Sequence, residues 1–139
     1  RLFFSGDTGL TSEFASIGQR FGKFDLVMLE IGAWHPAWGN IHLGPANALA
    51  AFEQLGGGTL LPIHWGTFDL ALHAWNEPPE TLLALAEPAG VRVLTPLLGR
   101  PFEPEHVSGP TPWWRDAPAS EGVRIGSPSP AKIGVLSGE

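Results

Sequence analysis

The segment from Phe24 to Ile31, Phe-Asp-Leu-Val-Met-Leu-Glu-Ile, is a nearly continuous apolar run, and it constrains the fold more than any other stretch of the chain. A half-exposed strand alternates apolar and polar residues, whereas a run without alternation marks a strand covered on both faces, as in parallel sheets. Parallel neighbours need crossover connections, usually helices, and the flanking sequence supplies candidates. Leu2 to Ser5 reads as a short buried strand ending in the turn Gly6-Asp7-Thr8-Gly9. Phe14, Ile17 and Phe21 recur at helical spacing, which predicts a helix over 11–21 stopped by Gly22. Pro45 opens a second helix over 45–55, with Ala48, Leu49 and Phe52 as its apolar stripe and Gly56-Gly57-Gly58 as its end. A third strand over 59–64 delivers His64-Trp65-Gly66-Thr67. A third helix over 79–87 and a fourth strand over 91–95 complete a β-α-β-α-β-α-β order, which predicts an α/β layered domain.

With 43% apolar and 16% charged residues, the 139-residue chain can bury one modest core. The domain is expected over 1–106. From 107 to 139, Gly, Pro and Ser supply 15 of 33 residues without periodicity, so this stretch is expected to be a disordered tail that Trp113-Trp114 could dock locally. The formal net charge of −6 leaves no basic face for nucleic acid. No apolar run approaches the roughly 20 residues that cross a bilayer. The chain starts at Arg1 and enters an apolar segment at once, which reads as a sequence preceded by further residues, any targeting signal among them. A cytoplasmic location is the default expectation.

There is no cysteine, so any metal must be held by His, Asp or Glu. Asp7 follows the first strand and His64 ends the third. Residues at the carboxyl ends of parallel strands converge on a crevice, where a carboxylate and an imidazole suit zinc or another divalent metal. Glycines at 6 and 9 allow the sharp bend that points Asp7 inward. Other roles stay open on spacing alone: Asp7 as a turn or cap residue, His64 as a hydrogen-bonded structural residue. Glu13 and Glu53 fall on helix surfaces, whereas Glu30 lies in the apolar run and is not so easily set aside. His73 could line the crevice beside Asp69 or orient a loop, His106 is expected to be solvated, and His35 is given no role. Trp34, Trp38, Trp65 and Trp75 surround the crevice segments; wedging loops onto the core is favoured over forming an apolar wall for an acyl substrate.

Four strings then occur in order: Gly6-Asp7-Thr8-Gly9, Phe24-Asp25-Leu26, Ile31-Gly32-Ala33-Trp34 and Ile63-His64-Trp65-Gly66-Thr67-Phe68. Together with Glu77-Pro78-Pro79, they make residues 2–104 resemble the C-terminal half of the metallo-β-lactamase superfamily. The chain is most similar to its N-acyl-phosphatidylethanolamine phospholipase D-like branch and bacterial relatives. The resemblance implies the C-terminal half of an αββα sandwich and a zinc-dependent hydrolase of phosphodiester or other ester bonds, with a small-molecule or lipid-like substrate. It implies two zinc ions, or other divalent metals, in the complete enzyme. Asp7 then corresponds to the carboxylate bridging both metals and His64 to the last histidine, which binds one; both are catalytic through that centre. His42 corresponds to a histidine near the substrate and is carried over as a substrate-contacting or ligand-supporting residue. The superfamily's His-x-His-x-Asp-His segment, and the later histidine preceding the bridging aspartate, are absent. A missing N-terminal half is therefore expected to complete the site, and the chain alone is expected to be inactive. The competing reading is a non-catalytic fragment or partner-completed binding module. A phosphate binder is disfavoured, because neither G-x-G-x-x-G nor a P-loop lysine is present.

Overall fold

The computed structural model describes residues 1–69 and 71–117. Three strands, β1 (Leu2–Phe4), β2 (Leu26–Glu30) and β3 (Thr59–Ile63), form one parallel sheet in the order β1-β2-β3. Between and after them run α1 (Glu13–Phe21), α2 (Gly44–Gln54) and α3 (Glu77–Ala86). The apolar run is thus the central strand, with helices on one face, while the other face, expected to be covered as well, is partly open at Met28 among the described residues. The Gly22 N–H bonds the Gly18 carbonyl at 2.8 Å, with Gly22 at φ 70°, which closes α1 where expected. Pro45 sits in the first turn of α2, where its missing N–H costs nothing.

Register pairs Leu2 with Leu26, Phe4 with Met28, Met28 with Leu61 and Glu30 with Ile63. Paired residues of parallel strands share a face, so the sheet has two distinct sides. Val27, Leu29 and Leu60 point to one side and pack with Phe14 of α1, Ala48, Ala51 and Phe52 of α2, and Leu82 and Ala86 of α3. Complete burial of Leu29, Leu60 and Leu82 contributes about 1.5–3 kcal/mol each. The opposite side carries Leu2 and Phe4, exposed at 69% and 58%, beside half-buried Met28, Leu61 and Ile63.

The fourth strand expected over 91–95 is reduced to a single parallel bridge between Leu60 and Val93. Leu60 donates to the Arg92 carbonyl at 2.9 Å and accepts from the Leu94 N–H at 2.8 Å. The next β3 residue facing that way is Pro62, which has no N–H to extend the ladder. Thr95 turns instead to Thr111, its hydroxyl donating to the Thr111 carbonyl at 2.9 Å and accepting from the Thr111 N–H at 2.8 Å.

Residues 107–117, at the start of the stretch read as a tail, lie along the domain as a strap; residues 118–139 fall outside the described residues. Trp114 is buried, and its indole N–H donates to Glu80 Oε1 at 2.7 Å. Arg115 grips the same carboxylate at 2.7 and 2.8 Å. The Arg115 hydrogen bond holds the Glu80 carboxyl below its ordinary range, against the opposing effect of burial. A carboxylate depressed in the fold stabilises above its unfolded pKa of about 4.3, and that contribution is lost as pH falls through the folded value. Acidification below about pH 4 is therefore expected to loosen the strap, shifting tryptophan emission to the red. In Glu80→Gln this pH-dependent shift should vanish; an unchanged acid transition would place the anchor elsewhere.

Candidate metal centre

The carboxyl ends of β1, β2 and β3 lie side by side because the strands are parallel and adjacent. Asp7 follows β1 by three residues, Glu30 is the last residue of β2, and His64 directly follows β3. Asp7, Glu30 and His64 each offer one ligand atom, and these atoms all lie within 4.8 Å of one another. Two ligands of one metal must approach within roughly 6 Å, and Asp7 and His64 do so.

Two close backbone approaches shape this edge. A Cβ on Gly32 would lie 1.8 Å from the His64 carbonyl oxygen, so only glycine lets the end of β2 pass beside His64. His64 itself takes φ 59°, a left-handed conformation uncommon outside glycine. A Cβ on Gly9 would meet the Asn40 carbonyl oxygen at 1.9 Å. Asn40 clasps the turn beyond Asp7 at that point: its Nδ2 donates to the Leu10 carbonyl at 2.6 Å and its Oδ1 accepts from the Leu10 N–H at 2.9 Å.

His42 joins the cluster from the loop before α2. Its Nδ1 lies 2.9 Å from Asp7 Oδ1 and 3.1 Å from Glu30 Oε1. Both partners are carboxylates, so Nδ1 carries the proton and Nε2 is the ring nitrogen left for other contacts. Glu30 Oε1 also accepts from the Leu43 N–H at 2.7 Å, whereas Glu30 Oε2 is buried without a partner among the described residues. Burial raises the Glu30 pKa, opposed by the Leu43 N–H and by His42. Asp7, by contrast, is 67% exposed. Sequence reasoning set Glu30 apart only as a carboxylate in an apolar run; its partners, His42 and Leu43, come from across a loop and have no signature in strand periodicity.

Trp65 donates its indole N–H to the Pro62 carbonyl at 3.0 Å and stacks on Trp113 at 5.5 Å, which wedges the segment after His64 onto the strap. Trp34 stacks on His73 at 5.9 Å, and the His73 Nδ1 meets the Ala74 carbonyl at 3.0 Å, a loop-orienting contact. His106 is exposed beside Glu103. A groove of about 260 Å³ borders His64, lined by Leu61, Ile63, Trp65 and Leu98 among others. A second concavity, of about 540 Å³, lies between α3 and the strap, away from the cluster.

Converging carboxylates and an imidazole, one carboxylate oxygen buried and unpaired, form a donor set suited to a divalent cation. The cluster sits at the carboxyl edge of a parallel sheet with helices packed on one side, the arrangement of an α/β domain. Residues 1–65 match the family described as beta-lactamase superfamily domain, so the chain is similar to the metallo-β-lactamase superfamily. It is 48% identical over 118 residues to an uncharacterized protein of Mycobacterium tuberculosis, covering 83% of this chain and 32% of that protein. It is 38% identical over 105 residues to a mitochondrial N-acyl-phosphatidylethanolamine-hydrolyzing phospholipase D of Saccharomyces cerevisiae, covering 71% and 22%. A metal-dependent hydrolase of Pelotomaculum thermopropionicum is 36% identical over 97 residues, covering 68% and 38%. The chain thus spans about a third of the length of the first of these relatives. No helix among the described residues is long and apolar enough to cross a membrane.

Proposed function

We propose that this chain carries one side of the metal centre of a zinc-type hydrolase acting on phosphodiester or other ester bonds. The observation that carries the reading is the convergence of Asp7, Glu30 and His64 within 4.8 Å at one sheet edge. The names of the metal-dependent hydrolase and phospholipase D relatives support it. In this reading Asp7 would be a ligand shared by two metal ions and His64 a ligand of one. When bound, the metals supply Lewis-acid polarisation of the scissile bond and lower the pKa of water. The protein's own contribution is placement. Asp7 and Glu30 fix the His42 proton on Nδ1, so that Nε2 can face a substrate. The groove beside His64, with its apolar lining, suits a lipid-like or acyl group.

A two-metal centre needs more donors than these residues supply, and the family's histidine-rich segment is not in the sequence. We place those donors in an N-terminal half that packs on the open side of the sheet, where Leu2 and Phe4 are exposed, to complete an αββα sandwich. The test compares residues 1–139 with a longer protein including the preceding region. Metal content and the hydrolysis of a chromogenic phosphodiester and a chromogenic ester are measured for both. The chain alone is expected to bind metal weakly and turn over negligibly, and the longer protein to bind two ions and hydrolyse at least one substrate. Tight binding of two ions by the chain alone would overturn the shared-site reading. A longer protein that binds no metal and cleaves neither substrate would favour a non-catalytic binding module.

A further inference from the structure

We propose that Glu30 is itself a metal ligand, the third that this chain supplies beside Asp7 and His64. The proposal rests on the metal-centre reading above and deepens it.

Position comes first. Strand alternation puts Glu30 on the side of the sheet shared by Leu26, Met28, Leu61 and Ile63, where an apolar residue would serve packing better. A carboxylate is instead placed there, fully buried, at the end of the central strand and between the strands that lead to Asp7 and His64. A purely structural account is that Glu30 secures the start of α2 through the Leu43 N–H and orients His42. Both contacts use Oε1 alone. Glu30 Oε2 stays buried with no hydrogen-bond partner among the described residues, and buried polar atoms are rarely left so without a ligand, ion or water to satisfy them.

Geometry and donor count then agree. Two donors each about 2.0–2.2 Å from one ion lie no more than about 4.4 Å apart, and the three ligand atoms are already within 4.8 Å. Closure on an ion therefore asks for a few tenths of an ångström. Asp7, exposed on a glycine-flanked turn, can supply that movement while Glu30 and its strand stay fixed. Two carboxylates, one imidazole and an open position match the three-protein-ligand pattern of a catalytic zinc. The chain then holds a complete set of protein ligands for one ion, even though a second ion needs donors from elsewhere.

The test uses residues 1–139 with zinc alone, titrated against a chromophoric chelator, and with cobalt(II) alone, read by visible absorption. Wild type is expected to bind one zinc. Glu30→Gln, which keeps the shape and the Oε1 acceptor, should weaken binding by at least about tenfold and change the cobalt(II) bands. His106→Ala should leave those bands in place, because His106 is exposed beside Glu103 and is not part of the cluster. Far-UV circular dichroism checks folding; should Glu30→Gln not fold, Glu30→Asp is read by the same bands, which a shortened ligand must shift. Wild type without metal binding would overturn the metal-centre reading and this proposal together. Metal binding that Asp7→Ala weakens, but that Glu30→Gln and Glu30→Asp leave unchanged in affinity and spectrum, would overturn the role of Glu30 alone.

Discussion

Replacing Asp7 by alanine, in the protein extended by its preceding region, is expected to lower hydrolysis by more than about 100-fold while leaving the fold intact. The magnitude has a floor: loss of a group merely supporting a metal ligand costs about 10–100-fold in metal affinity or activity, and Asp7 is read as a ligand shared by two ions. The intact fold follows from its surroundings. The Asp7 side chain is 67% exposed and its close polar contact is with His42, so removing it uncovers no apolar surface and empties no cavity. His64→Ala should behave likewise, with loss of one ion rather than both. Steady-state rates and metal content, taken beside thermal melts, separate chemistry from stability. Full activity in Asp7→Ala would sink the assignment of the bridge.

Gly32→Ala is the second large effect, and it acts through the backbone. The new methyl would be placed 1.8 Å from the His64 carbonyl oxygen, 2.9 Å from its carbonyl carbon and 3.1 Å from the Trp65 Cα. None of these is the end of a flexible side chain, so the strand ends themselves must part. Overpacking of a well-packed site costs about 1–3 kcal/mol, and a clash with main chain belongs at the upper end. A fall in Tm of roughly 10 °C is expected, with metal binding lost because His64 moves away from Asp7 and Glu30. A variant with unchanged Tm and unchanged metal affinity would show that this close approach does not set the position of His64.

The sequence made the layered fold legible because its signals are local. The uninterrupted apolar run announced the central strand, and Gly22 and Pro45 marked ends that the helices respect. Convergence of Asp7 with His64 was legible too, since parallel strands bring their carboxyl ends to one edge. What escaped were features set by partners distant in the chain. The run 91–95 looks like a complete strand by itself, whereas its pairing is limited to one bridge by the neighbouring strand, at Pro62. Glu30 stands out in the sequence without a role, because its contacts arise only when the 39–43 loop folds back over β2. The packing of Trp114 on α3 was legible only as a tryptophan pair in a glycine- and proline-rich stretch; the carboxylate that receives its N–H lies 34 residues earlier.

The Asn40 clasp bears on when the centre becomes ordered. By gripping both main-chain groups of Leu10, Asn40 joins the turn that bears Asp7 to the loop that bears His42, so the two travel as a single body. Two independently flickering loops would each surrender conformational entropy at the moment a cation arrives, and affinity would fall by that amount. Joined to each other and to β2 through Glu30, they surrender it during folding instead. On the proposed metal-centre reading, a cation would then meet a nearly finished cage that asks only for a small movement of Asp7.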